Sequence, residues 1–263
     1  MTVQPSVQPS KVQSVDRALR LLDAVAAAGP RGETAAGLAV RCDLNRATAW
    51  RLLATLEAHG MVERDPATNR YSVGLALLRL SGAAGYDGLA RRALPVLERV
   101  SRQTGETADL AATRMHGVTY IGEMAPPSVM AISWLAREVP LHATSTGKAY
   151  LAWLDNDEIR GLLQSPLPRY TDTTITNVGD LMDDLARTRE RGYAECAGEL
   201  EPTLYGVSAP IFGVHGRPVA VFSIWGPLSR VPISRFPLLG PVAIGAAAEV
   251  QALITPAERG LPD

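Results

Sequence analysis

Val15, Leu19, Leu22 and Val25 recur at the three-to-four-residue spacing of a helix, and Gly29-Pro30 stops the run. Thr34 is placed to cap a short second helix reaching about residue 41. A third helix runs from about residue 45 to 59, where Gly60 closes it. Only Cys42-Asp43-Leu44 separates the last two. Beyond Gly60 the period changes to two: residues 61–64 and 70–73 alternate around the turn-forming stretch Asp65-Pro66-Ala67-Thr68-Asn69, the pattern of a hairpin. Three helices followed by a hairpin predict a winged helix-turn-helix, with the second and third helices as the pair and the hairpin as the wing.

Helical spacing returns over 74–86 and 89–103, so the junction between the two halves reads as helical and not as a Gly/Ser linker. Strand-like runs follow at 108–113 and 117–124, separated by Arg114-Met115-His116. Helices are expected near 145–154, 156–163 and 178–191, strands at 193–199, 206–212 and 219–225, and an Ala-rich helix over about 235–254. Strands and helices mix without strict alternation, which predicts an α+β domain. The expected boundaries are a disordered tail over 1–11, rich in Gln, Pro and Ser, a DNA-binding domain over 12–74, a helical linker over 75–90 and an α+β domain over 91–256.

The chain has 263 residues, 46% hydrophobic and 20% charged, which fits two soluble globular domains and excludes a disordered or collagen-like chain. No uninterrupted apolar run reaches the roughly 18 residues of a membrane span and the N-terminus is polar, so a cytoplasmic protein without membrane contact is expected. Cys42 and Cys196 are too few for a disulfide framework or a Cys-based zinc site. His59, His116, His142 and His215 show no metal-ligand spacing, and neither a metal nor a cofactor is expected. Net charge is −1 overall, but residues 1–75 carry 9 Lys+Arg against 7 Asp+Glu, a local excess that permits DNA contact without demanding it.

On the third helix Ala49, Leu52, Leu53 and Leu56 form one stripe, leaving Arg46, Ala47, Trp50 and Arg51 outward near its N-terminal half. That is the half of a recognition helix that meets base edges. Asn45 and Thr48 start the same helix, with Thr48 suited to a phosphate. Arg46 and Arg51 suit guanine or phosphate, Ala47 permits close approach, and Trp50 can pack on sugars or a thymine methyl. Arg64 and Arg70 place charge on the wing. The bland alternative is a solvated helix face; the complete helix-helix-helix-hairpin order favours double-stranded DNA as the partner.

Val12-Gln13-Ser14-Val15-Asp16-Arg17-Ala18-Leu19, Arg46-Ala47-Thr48-Ala49-Trp50-Arg51-Leu52-Leu53 and Leu56-Glu57-Ala58-His59-Gly60 resemble the opening and recognition helices of IclR-type bacterial transcriptional regulators. Pro140-Leu141-His142 leading to Gly147-Lys148-Ala149, together with Arg191-Gly192-Tyr193-Ala194, Ser208-Ala209-Pro210-Ile211 and Ser223-Ile224-Trp225-Gly226-Pro227, resembles landmarks of the same family's sensor domain. The likeness spans about residues 12–255. It implies a GAF-like or profilin-like effector domain, an inverted-repeat operator, a homodimer or homotetramer paired through its first helices, and no catalysis. Two departures stand out: Asp43 replaces a usual turn Gly, and Ala47 replaces a usual Ser. Asp tolerates a left-handed backbone, so the turn can survive, whereas a DNA-facing hydroxyl is missing.

Ser145-Thr146-Gly147-Lys148 superficially suggests a phosphate loop, but a Walker A pattern needs Gly and Ser or Thr where His142 and Ala149 stand. The resemblance instead implies that a small organic carboxylate meets the helix start at Ser145 and Thr146. Capping by Thr144 or Ser145 is the alternative. It also carries the effector pocket onto Cys196, Gly206, Ser223 and Trp225. Relatives binding small hydrophilic keto-acids tend to have Asp, Cys and Ser at Cys196, Gly206 and Trp225, which implies a larger and less polar effector, an aromatic or aliphatic carboxylate. Gly206 would make room that Trp225 partly fills or stacks across. Trp225 can equally be a core aromatic, and Cys196 an inert thiol. Lys148 reads as a surface or helix-stabilising charge. The rival classes are a sensor or scaffold without DNA binding and, further off, an enzyme using Cys196 with His142 or His215.

Overall fold

The computed structural model describes residues 12–77, 79–80, 86–114, 117–126, 133–135, 139–213 and 216–254. The tail expected over 1–11, and His116 and His215, lie outside them. The described residues form two compact units, dividing between Gly85 and Tyr86.

In the first unit, α1 (Gln13–Ala27) buries Leu21 and Val25. The Thr34 side chain caps α2 (Ala35–Arg41) by accepting from the Gly37 amide, and the Asn45 side chain caps α3 (Arg46–Ala58) by accepting from the Thr48 amide. Asp43 adopts φ 52°, so the turn between α2 and α3 closes with the left-handed residue that Asp tolerates. Leu21, Val25, Leu38, Ala49, Leu53, Val62 and Tyr71 make one core. The hairpin is β2 (Val62–Arg64) and β3 (Arg70–Val73), and a two-residue β1 (Glu33–Thr34) pairs with the other edge of β3, too short to leave a periodic signal. This is the winged helix-turn-helix that the pattern predicts. Of the expected linker, residues 76, 77, 79 and 80 are helical, 78 and 81–85 lie outside the described residues, and residues 87–90 prove to be the first turn of a helix in the second unit.

That unit is built on a five-stranded antiparallel sheet in the order β5-β4-β8-β7-β6. Its strands are β4 (Thr107–Arg114), β5 (Gly117–Met124), β6 (Ala194–Ala197), β7 (Leu204–Phe212) and β8 (Pro218–Pro227). The side chains of Leu110, Val207, Ala209, Phe222 and Ile224 pack against α4 (Asp87–Thr104) and α8 (Phe236–Ile254). Their alternate neighbours Ala111, Val118, Tyr120, Ala194 and Val221 face α5 (Ser145–Leu151), α6 (Asn156–Leu162) and α7 (Val178–Arg191). Residues 233–254 are long and apolar enough to cross a membrane, but Phe236, Leu239, Ala243, Ala246, Ala247 and Val250 are buried against the sheet layer.

The turn before α5 fixes where its first residues stand. A Cβ on Gly147 would meet the Leu141 backbone at 2.3 Å, so only glycine lets the helix approach the chain this closely. Gly147→Ala therefore reverses the gain of about 1 kcal/mol that Ala normally brings to a helix and costs about 1–3 kcal/mol of overpacking instead. Urea unfolding followed by indole emission checks this, because Trp134, Trp153 and Trp225 all lie in the second unit.

Candidate functional site: an outward helix face and a hydroxyl-lined cavity

On α3 the inward stripe is as expected: Ala49 and Leu53 are buried, and Leu52 and Leu56 pack beside them. Asn45, Arg46, Ala47, Trp50 and Arg51 are exposed and Thr48 is half-buried, with Trp50 at 58% exposure, too high for a core indole. Not all eight expected DNA-facing residues are equally free. Asn45 spends its Oδ1 on the cap at 2.8 Å. Arg70 donates to the Gly32 carbonyl at 2.9 Å and lies 4.0 Å from Glu33, so it ties β3 to the loop before α2, whereas Arg64 is exposed on β2. A cleft between α1 and α3 adds Gln13, Ser14 and Arg17 to Thr48, Trp50 and Arg51. The amphipathic pattern of α1 alone does not mark those three.

The second unit holds a cavity of about 50 Å³. All six expected effector residues, Ser145, Thr146, Cys196, Gly206, Ser223 and Trp225, line it. Tyr120, Trp134, Val139, Pro140, Thr144, Leu200, Leu204 and Tyr205 complete the wall. Strand register explains the floor: Cys196, Gly206 and Trp225 are direct neighbours across β6, β7 and β8, and Ser208 and Ser223 are neighbours one step along the same face.

The polar side is a chain of hydroxyls. Tyr120 OH meets Thr146 Oγ1 at 2.8 Å, Thr146 meets Ser223 Oγ at 2.9 Å, and Ser208 Oγ links Ser223 and Ser145 at 2.8 Å each. A longer 3.5 Å contact joins Thr146 and Ser208. Each of these five hydroxyls can both donate and accept, so the chain can turn an O–H toward a ligand at the cavity surface. Thr144, not Ser145, is the helix cap: it accepts from the Gly147 amide at 3.0 Å and donates to the Pro140 carbonyl at 2.9 Å, freeing Ser145 for the hydroxyl chain. Burial raises the Tyr120 phenol far above its ordinary pKa, so it stays protonated.

Gly206 makes room that Trp225 fills: a Cβ there would stand 2.7 Å from Trp225 Cβ, so the space belongs to the indole's own stem. One expectation is corrected. Lys148 is not a surface charge. It is 1% exposed, within 2.8 Å of Glu199 and 3.0 Å of Asp184. Burial opposes its charge, yet Glu199 and Asp184 together keep its pKa above the ordinary lysine value. Burial would raise the Asp184 carboxyl, but the Lys148 ammonium outweighs this and holds it low; at Glu199 burial prevails and the pKa stays raised. A Lys with no neighbouring acid in sequence has no local signal for such a site, since its partners come from α7 and the turn after β6.

Cys196 Sγ donates to the Ala143 carbonyl at 3.5 Å and burial pushes its pKa up to about 11, so it is a thiol and not a thiolate at neutral pH. His142 Nε2 is engaged with the Pro168 carbonyl at 2.8 Å. Sγ of Cys196 and Nε2 of His142 are thus each engaged with a backbone carbonyl. Among the described residues no group of three or more His, Cys, Asp or Glu is placed to hold a metal ion.

Residues 83–252 match the family model of the bacterial transcriptional regulator IclR C-terminal domain, and residues 14–66 match the IclR helix-turn-helix domain. The chain belongs to the IclR family of bacterial transcriptional regulators. It is 34% identical to the HTH-type transcriptional regulator BhcR of Paracoccus denitrificans, over 91% of this chain and 86% of that one. It is 32% identical to the transcriptional repressor IclR of Escherichia coli, over 91% and 89%. Among solved structures it resembles an IclR regulator from Alicyclobacillus acidocaldarius, with TM-score 0.59, 31% identity and coverage of 92% of this chain and 99% of that one. It also resembles an IclR homologue from Microbacterium hydrocarbonoxydans complexed with 4-hydroxybenzoate, with TM-score 0.56, 26% identity and coverage of 91% and 99%. In this IclR-family chain the helix-turn-helix therefore marks the DNA-binding half, and the cavity lies in the half that binds small molecules in some relatives.

Removing Lys148 leaves two buried carboxylates without their counter-ion. Lys148→Met is expected to destabilise the second unit by about 3–5 kcal/mol, read as a lowered urea midpoint.

Proposed function

We propose that the protein is a cytoplasmic, effector-responsive transcriptional regulator. As a homodimer or homotetramer it reads an inverted-repeat operator through α3, and a small aromatic or aliphatic carboxylate in the cavity alters its affinity for DNA. The DNA reading is carried by one observation: the N-terminal half of α3 buries Ala49 while exposing two arginines and an indole. Arg46, Ala47, Trp50 and Arg51 are the base-facing set, with Asn45, Thr48, Arg64 and Arg70 beside the backbone. Pairing two such units follows from operator symmetry, since half-sites about 34 Å apart need two recognition helices. The exposed Val12, Val15 and Leu19 around the start of α1 supply an apolar stripe for that pairing. Residues 12–74 act as the DNA-reading part, residues 75–90 as the connection and residues 91–256 as the sensor.

For the effector, hydroxyls that can turn an O–H into the cavity suit a carboxylate, while Trp134, Trp225, Tyr205, Leu200 and Leu204 suit an apolar body. Ser145, Thr146 and Ser223 are the hydrogen-bonding contacts, and Cys196, Gly206 and Trp225 form the floor. The 4-hydroxybenzoate in the Microbacterium homologue supports an aromatic acid as the class. An effector acts only if it binds the DNA-competent and DNA-incompetent arrangements unequally.

Selection of bound sequences from random duplex DNA should return an inverted repeat. Arg46→Ala and Arg51→Ala should each weaken binding to it by about 1–3 kcal/mol, with Arg46→Ala also relaxing preference at one base position. Failure of the wild-type protein to enrich any sequence at low salt would leave only a sensor without DNA binding.

In calorimetric titrations benzoate should bind and glyoxylate should not, because the rings and leucines around the hydroxyls suit an aromatic body that glyoxylate lacks. Tight glyoxylate binding without benzoate binding refutes the proposed effector class.

A further inference from the structure

Trp225 is held by a carboxyl that is not itself part of the cavity wall. Asp109 on β4 has no exposed surface and stands in register between Ser223 on β8 and Glu123 on β5. Trp225, two residues past Ser223 on the same face of β8, donates its indole N–H to Asp109 Oδ2. The second carboxyl oxygen, Oδ1, is buried and has no hydrogen-bond partner among the described residues. Burial pushes this carboxyl well above the ordinary range and Glu123 adds to the rise, while the indole bond opposes them. A fully buried carboxyl with one oxygen unpartnered is costly to keep for stability alone.

The stem of Trp225 has no freedom either. Gly206, its neighbour on β7, leaves space only for Trp225 Cβ, which would stand 2.7 Å from any Cβ placed on that glycine. What remains is rotation of the ring about its side-chain bonds, and a single N–H bond to Asp109 selects among those rotamers. The ring so held is half-buried and lies beside Ser223 in the cavity floor.

The geometry points to Asp109 as a specificity-determining residue that acts through Trp225: it holds the indole as a rigid aromatic wall, and so favours planar aromatic acids over flexible aliphatic ones. The inference rests on the cavity being the effector site. A fixed ring offers a preformed stacking surface to a planar ligand at little entropic cost, whereas a ring free to rotate reshapes the cavity for a flexible chain. Asp109 is a positioning residue, since no atom of it reaches the cavity surface.

Four proteins make the test: wild type, Asp109→Asn, which keeps an acceptor for the indole, Asp109→Leu, which does not, and Trp225→Phe, which keeps a ring and removes the N–H. Each is titrated with benzoate and with hexanoate, and the indole N–H cross-peaks are recorded by NMR. Asp109→Asn should keep the wild-type ratio of affinities and the position of the Trp225 cross-peak. Asp109→Leu and Trp225→Phe should each reduce the preference for benzoate roughly tenfold, the worth of about one hydrogen bond. The double variant should lose no more than either single one. Asp109→Leu should also shift the Trp225 cross-peak upfield.

An unchanged ratio in Trp225→Phe, or additive losses in the double variant, overturns the proposal while leaving the carboxylate site standing. If Asp109→Leu does not fold, the contrast between Asp109→Asn and Trp225→Phe decides alone. Wild-type protein that binds neither acid fails the underlying reading of the cavity, and the cross-peaks then still report whether Asp109 holds the indole.

Discussion

Lys148 fixes the sensor half around itself. Its ammonium is the meeting point of three elements around one apolar core: α5, which carries it, α7, which brings Asp184, and the turn after β6, which brings Glu199. Burying three charges is unfavourable unless all three are present and close, so the arrangement tolerates little displacement of any member. The same turn is fastened from another side, where Thr171 and Thr174 donate to the carbonyls of Gly198 and Glu199 at 2.7 and 2.6 Å. With Gly147 seated on the Leu141 backbone, the first turn of α5 is located to within the slack of a few hydrogen bonds. Ser145 and Thr146 inherit that precision, and the cavity wall is specified before any ligand arrives.

The sheet divides its two faces by chemistry as well as by direction. The face toward α4 and α8 is mostly apolar, as a core must be. The other face interrupts its apolar residues with a row running Glu123, Asp109, Ser223 and Ser208 across four strands. Hydroxyls can occupy such a buried row because each both donates and accepts, and neighbouring strands bring them within bonding distance. Asp109 is admitted on different terms: burial raises the pKa of its carboxyl, and its one side-chain bond goes to an indole.

The local parts of this structure are written in short stretches of sequence. Thr34 and Asn45 cap helices, Asp43 closes a turn with positive φ and Gly60 ends α3, each through bonds within a few residues, and periodicity alone finds the strands and helices they bound. Six cavity residues were also legible, by family resemblance, because they sit on the ordered landmarks of the second half. Four features were not. Lys148, Glu199 and Asp184 are separated by up to 51 residues, and no spacing rule marks a buried ion pair across such a distance. That the stem of Trp225 and not its ring takes the room at Gly206 needs the cross-strand register. Tyr120 and Ser208 join the hydroxyl chain from strands whose alternation reveals burial but not partner. Asp109 lies in a run of small and apolar residues where nothing hints that its carboxyl will meet a side chain 116 residues away.

Both halves separate polar groups committed to the fold from those left to meet a ligand. On the helix-turn-helix side, Asn45 is spent on a cap and Arg70 on the Gly32 carbonyl, and the exposed groups without such duties include Arg46, Trp50, Arg51 and Arg64. In the sensor half, Thr144, Lys148 and Asp109 are spent on positioning, and the hydroxyl chain faces the cavity. Recognition in the proposed function therefore rests in each half on few donors beside an indole. A site of this kind discriminates by shape as much as by charge, because a ligand that misfits the ring cannot recover the loss by finding another polar partner.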